Sequence, residues 1–294
     1  MIQAQKIIGA FIRAIREQRG LSQETLATGA GISYQYLSGV ETGKENFSIQ
    51  VLENLASTLG LPLQSLVNSA FEGNTISNAP KLETRFLRYG VPLPSGFRLE
   101  QLEMAANLTQ LMLHRMNKNM FFEVGQPLQA LIQGNNFSGL VSNLLSNAID
   151  QSSSYKHNHH QRYPDLINQD MNVGLEVKTT INIGKGGESH NGHSGWHVIA
   201  CYNFLENGDI VFVHIMFAQL VGHQHPNSDW SYVGSKVNQE TGSRRTETYT
   251  TNGQGTTKLR DGSVYINTDI VNFSRWRQTR EGTPPNWSIF AIKK

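Results

Sequence analysis

The stretch "YPDLINQDMNVGLEVKTT", residues 163–180, holds carboxylates and an ammonium at spacings that could do chemistry: Asp165, then Glu176 and Lys178 inside an apolar run. Successive side chains of a strand alternate faces, so Glu176 and Lys178 point the same way while Leu175 and Val177 turn to the opposite layer. If the segment around Asp165 lies against that strand, two carboxylates and the carbonyl of Val177 form a hard-oxygen set suited to Mg²⁺. Lys178 would hold or help deprotonate a water while the metal stabilises charge on a phosphate and its leaving oxygen. In-line phosphodiester hydrolysis requires this arrangement. The alternative is an ordinary strand with Glu and Lys on its wet face. Asp170 competes with Asp165 as the first carboxylate.

The next stretch, "GKGGESHNGHSGWH" (184–197), has glycines that permit close backbone approach to a phosphate. Lys185, His190, His193 and His197 could donate to a substrate there. A plain strand connection and a zinc site are the alternatives, and three histidines with no cysteine and no helical His-Glu pattern argue poorly for zinc. Just upstream, "YKHNHHQRYPD" contains the letters HNH, but it lacks the glycines, spaced strands and helix of a ββα-metal nuclease and reads as a surface loop. Residues 223–263 are polar and turn-rich, with Arg244 and Arg245 placed either to read bases or to sit on a solvated hairpin. From Arg244 onward nine Lys/Arg face four Asp/Glu, and Arg275, Arg277 and Arg280 surround Trp276. Such a tail can meet a phosphate backbone or be a solvated basic face.

Positioning these groups falls to two differently textured regions. Residues 5–68 read as short helices. "KIIGAFIRAIREQRG" puts Ile8, Phe11, Ile12 and Ile15 on one face and stops at Gly20. Ser22 and Ser33 are candidate N-caps for two further helices joined by a turn containing Gly29 and Gly31. "FSIQVLENLASTLGLPLQSLV" supplies two more, enough for a five-helix core. On "LSQETLA", "GISYQYLSGVETGK" and "LENLASTLGLPLQSL", this region resembles the lambda-repressor-like (Cro/C1, XRE) helix-turn-helix family over its full domain length. The resemblance implies that Gln23, Ser33, Tyr34, Gln35 and Ser38 face double-stranded DNA. Against it stands the region's charge, five Lys/Arg against five Asp/Glu, since phosphate neutralisation normally dominates affinity. A protein-contact module keeping the fold without the function is the other reading.

Residues 71–96 are rich in Asn, Ser, Gly and Pro without sustained period, and read as a linker between a domain at 1–70 and one at 97–294. Helical patterns follow at "FRLEQLEMAANLTQLMLHRMN", whose Met104, Met112 and Met116 read as core, and at "FSGLVSNLLSNAIDQSS". Then come strands at "VGLEVKTTINI", "WHVIACYNF" and "DIVFVHIMFAQL". The expected fold is α/β (α+β), an all-α five-helix domain followed by a mixed sheet. "PD", ten residues, then "EVK" resembles the PD-(D/E)xK nuclease superfamily, which includes most type II restriction endonucleases. That resemblance makes Asp165, following a proline, the first carboxylate; it gives Asp165, Glu176 and Val177 to Mg²⁺ and Lys178 to the attacking water. Relatives often add an acidic residue from the preceding helix. Here that helix offers Ser142 and Asn143 in its middle but no Glu, leaving Glu123 and Gln126 upstream as alternatives.

No segment has the uninterrupted apolar length of a membrane span, no signal peptide is visible, and the single Cys201 excludes an intrachain disulfide framework. A cytoplasmic protein is expected. The combined expectation is a Mg²⁺-dependent type II restriction endonuclease acting as a homodimer, with a cognate DNA methyltransferase in the same cell. Its rivals are a helix-turn-helix transcriptional regulator with a ligand-sensing or inactive nuclease-like C-terminal domain, and a nuclease for modified DNA, which an aromatic cage for a flipped base would favour.

Overall fold

Serine caps set the first helices. In the computed structural model, which describes residues 2–159, 163–234, 247–280 and 282–291, Ser22 accepts from the Thr25 N–H and Ser33 from the Tyr36 N–H. Each satisfies a helix-end donor that would otherwise be orphaned. The helices are α1 (Ile2–Gln18), α2 (Gln23–Ala30), α3 (Tyr34–Glu41), α4 (Ile49–Thr58) and α5 (Leu63–Asn78). Between α2 and α3, Gly31 takes a left-handed φ of 68°, which a side chain would strain. Ile8, Ile12, Leu26, Leu37, Val40, Leu55 and Leu66 form the core, with Phe11 and Ile15 packed at its edge. Burying each such aliphatic side chain is worth roughly 1.5–3 kcal/mol.

The chain divides into two compact units, Met1–Ala79 and Pro80–Lys294. This corrects the linker expected at 71–96. Helix α5 runs through its first part, because nothing stronger than Gly73 interrupts it and Ala70 and Phe71 anchor it to the core. It ends before Pro80, whose ring disfavours helix at the preceding residue. Residues 80–96 belong to the second unit. Leu82, Phe86, Leu87 and Val91 are buried in its core, and Leu87 bridges Tyr265. Aperiodic spacing hid these apolar residues.

In the second unit α6 (Leu99–Val124), α7 (Leu128–Leu131) and α8 (Gly134–Ser152) precede a six-stranded mixed sheet of order β1-β2-β3-β5-β6-β9. Its strands are β1 (Lys156–His157), β2 (Leu166–Asn168), β3 (Val173–Thr180), β5 (Gly195–Phe204), β6 (Ile210–Leu220) and β9 (Ser263–Ile266). Among the described strands only β3 and β5 pair in parallel. A second sheet, order β4-β8-β7, joins β4 (Glu188–His190), β8 (Thr248–Thr251) and β7 (Trp230–Gly234). Helices α9 (Gly253–Asp261) and α10 (Ser274–Thr279) complete the described elements.

Helices α6 and α8 cover one face of the large sheet, burying Leu102, Leu113, Val141 and Leu145 against Leu175, Val177 and Val198. The opposite face buries Ile199, Cys201, Val213 and Leu259. Met112 and Met116 pack against the core, but Met104 is 60% exposed on the outer side of α6, correcting its assignment as core. Among the described residues no helix is long and apolar enough to cross a membrane.

Candidate active site

Strand β2 pairs with β3 only from Leu166↔Leu175 to Asn168↔Val173. Beyond Leu175 that edge of β3 has lost its neighbour, and Asp165, the residue preceding β2, occupies the place where pairing stops. Its Oδ2 accepts the Val177 N–H at 2.8 Å, and its own N–H donates to Glu176 Oε2 at 3.2 Å. Lys178 Nζ lies 2.6 Å from Glu176 Oε1 and 3.8 Å from Asp165 Oδ2. The three side chains therefore form one cluster: alternation along β3 puts Glu176 and Lys178 on one face, and the end of the β2 pairing brings Asp165 to them. Asp170 is exposed in the turn after β2, at the other end of that strand, and does not compete.

Glu176 keeps 7% of its side-chain surface, whereas Asp165 and Lys178 keep about a third, so the carboxylate pair is backed by protein and open in front. Burial raises the Glu176 carboxyl above the ordinary range and Asp165 adds to this, with Lys178 opposing. Burial alone would lower Lys178, but the two carboxylates outweigh it and hold the ammonium above its usual value. Lys178 is thus held as a cation between the two carboxylates. One ammonium faces two carboxylates, and a net negative charge remains.

A residue's N–H and C=O point to the same strand edge, so the Val177 carbonyl shares the open edge with Asp165. Two carboxylates and this carbonyl fit a small hard cation that keeps several waters. Among the described residues no group of three or more His, Cys, Asp and Glu is arranged to hold a metal ion. Further ligands would have to be solvent or substrate.

A cleft of about 900 Å³ runs along this edge. One wall is the polar face of α8, with Ser138, Ser142 and Ser146; the other carries Thr248, Thr250 and Thr251 of β8. Lys178, Lys185 and Arg260 line it, and Asp165 is the lone lining carboxylate among the described residues. The serines recur every four residues, a helical spacing that was visible in the sequence, whereas the threonine wall arrives from seventy residues away. Gln126 does not line the cleft. The Glu123 side chain lies outside the described residues.

The glycine loop divides its residues. Lys185 joins the cleft, and Gly186 is required because a Cβ there would lie 1.5 Å from Thr251 Oγ1. His193 lines a separate depression of about 770 Å³ with Tyr163, whose ring stacks on it at 4.2 Å. His197, expected to touch substrate, is wholly buried beside Trp230 and Tyr163. It is the register partner of Glu176, and burial lowers its pKa to about 4. Its Nδ1 donates to the Gly195 carbonyl at 3.0 Å, so it is a neutral backing wall rather than a contact. Arg244, Arg245 and the His190 side chain lie outside the described residues.

The basic tail folds inward. Arg280 binds both oxygens of Asp261, Arg277 lies over Phe273, and Trp276 stacks on His214 beneath Arg260. Only Arg275 of its three arginines is fully exposed.

On the first unit, Ser33, Tyr34 and Gln35 are exposed at the start of α3, and Ser38 is half-buried one turn on. Gln23 is committed differently, donating to Glu41 Oε2 at 2.7 Å. Arg16 holds the same buried carboxylate at 2.6 and 3.0 Å.

Residues 12–66 match the family model described as helix-turn-helix. The HTH-type transcriptional regulator DdrOP3 of Deinococcus deserti is 38% identical over 69 residues, which are 23% of this chain and 54% of that protein. The uncharacterized HTH-type transcriptional regulator y4dJ of Sinorhizobium fredii is 36% identical over 67 residues, 23% of this chain and 87% of that one. The solved restriction-modification controller protein C.AhdI from Aeromonas hydrophila shares 37% identity, covering 21% of this chain and 94% of its own, at a TM-score of 0.21.

Proposed function

We propose, for a chain that belongs through its N-terminal unit to the helix-turn-helix family, that it is a Mg²⁺-dependent endonuclease cleaving double-stranded DNA in the manner of a type II restriction enzyme. The observation that carries the reading is the convergence of Asp165, Glu176 and Lys178 at the open edge of β3, where Asp165 and Lys178 line a cleft of about 900 Å³. Mg²⁺ held by Asp165, Glu176 and the Val177 carbonyl would supply the charge that stabilises the scissile phosphate and the departing O3′. Lys178 donates from its ammonium to the attacking water or to a phosphate oxygen. The hydroxyls of Ser138, Ser142, Thr250 and Thr251 and the Lys185 ammonium hold the strand along the cleft. Tyr34, Gln35 and Ser38 on α3 meet the duplex through the major groove. A homodimer would cut both strands of a palindrome, and a cognate methyltransferase would protect the host's own sites.

Purified protein incubated with unmethylated phage DNA and Mg²⁺, beside EDTA and a Glu176→Ala, Lys178→Ala variant, tests this. Discrete fragments only from wild type with Mg²⁺ are expected. Intact DNA in every lane with a persisting gel shift would instead support the second reading, a transcriptional regulator, which the regulator relatives of the first unit favour.

A further inference from the structure

The depression lined by Tyr163 and His193 is not used by the chemistry above, yet it adjoins it. Tyr163 stands two residues before Asp165, and its ring lies 6.1 Å from His197, the register partner of Glu176. Asp165, which lines the serine- and threonine-walled cleft, and Tyr163, which lines this depression, are thus two residues apart in the chain. A strand whose phosphate rests at Asp165 must continue in both directions.

The two concavities differ in chemistry. The cleft carries ammonium, guanidinium and hydroxyl groups, which suit a sugar-phosphate backbone. The depression instead has aromatic and imidazole faces. Tyr163 stacks on His193 at 4.2 Å, held by its hydroxyl donating to the Ser194 carbonyl at 2.8 Å, and His223 lies against Tyr249 at 4.5 Å. Its remaining polar side chains are Asn191, Ser194, Gln224, His225 and the exposed carboxylate Glu247, one of whose oxygens accepts from the Tyr249 hydroxyl at 3.1 Å. A carboxylate repels phosphate but accepts from the amino edge of cytosine, adenine or guanine. Flat π-faces beside such an acceptor suit a base.

We infer that this depression receives a nucleobase of the DNA substrate next to the scissile phosphate, stacked on the Tyr163–His193 pair with its amino edge toward Glu247. The inference rests on the reading of the chain as acting on DNA.

The test is a chemical footprint on the Glu176→Gln protein in EDTA, so that no cutting is needed. Histidines are modified with diethylpyrocarbonate and each site is followed by mass spectrometry, with free protein, saturating duplex DNA fragments, or heparin, a polyanion without bases. Duplex DNA is expected to slow modification of His193 and His223 by about tenfold, as stacking excludes the reagent, while heparin leaves both unchanged. Unchanged modification on DNA that is fully gel-shifted would overturn the inference and leave the nuclease reading standing. Equal protection by heparin would overturn it too, since backbone charge would then explain the effect. No gel shift at all would remove the DNA reading and this inference together, whereas failure of wild type to cut with Mg²⁺ despite protection would remove only the nuclease reading.

Discussion

Each unit buries a glutamate beside a basic partner, and the two clusters come out differently. In the first, Glu41 has both oxygens saturated: Oε1 by Arg16, Oε2 by Arg16 and Gln23. Charge and hydrogen-bonding capacity close within the cluster, whose role is to fasten α1, α2 and α3 together. In the second, Glu176 shares a single ammonium with Asp165 at an open strand edge, and its carboxyl is raised by burial. The surplus negative charge faces a cleft. A buried carboxylate with balanced partners is a fastening, and one with too few partners on an accessible edge is a site for a cation and its chemistry.

The largest test of that contrast is catalytic. Glu176→Gln and Asp165→Asn should each lower DNA cleavage by about a thousandfold or more, measured by gel, while thermal unfolding of either unit changes little. If both retain activity, the contrast between the clusters has no functional meaning. Next, Glu41→Ala strands the buried Arg16 charge and should destabilise the first unit by about 3–5 kcal/mol, read by urea unfolding at 222 nm. A loss below about 1 kcal/mol would mean that the pair is not a fastening.

A third test uses the distribution of histidine and tryptophan, both confined to the second unit. Burial lowers His197 to about 4 and His214 to about 3, with the nearby Arg260 also lowering His214. The unfolded chain takes up protons near pH 6.5 that the folded unit refuses. The stability these groups contribute is therefore present above that pH and lost as pH falls from about 6.5 toward 4. Tryptophan fluorescence should report destabilisation of the second unit by a few kcal/mol across that range. The histidine-free first unit should not follow it. The smallest test, Ser33→Ala, removes the cap of α3 and should cost the first unit about 1 kcal/mol by thermal unfolding.

The five N-terminal helices were legible because their information is local: apolar residues at helical spacing, serine caps and glycine stops within a few residues of each other. Alternation likewise fixed Glu176 and Lys178 on one face of β3. The same local rules misjudged residues 80–96, whose Leu82, Phe86 and Leu87 are core without any period. They misjudged His197 as well, for nothing in "GKGGESHNGHSGWH" tells that Trp230 will close over it.

By itself, then, the sequence determined the capped helices and the pairing of Glu with Lys on one strand face, since neighbours along the chain dictate both. Only the tertiary structure decided where β2 stops pairing, which leaves Asp165 and the Val177 carbonyl on an open edge. It also decided that threonines of β8 wall the cleft and that Arg280 is tied to Asp261. Those outcomes depend on contacts between distant segments, and the residues that make them carry no local sign of their eventual partners.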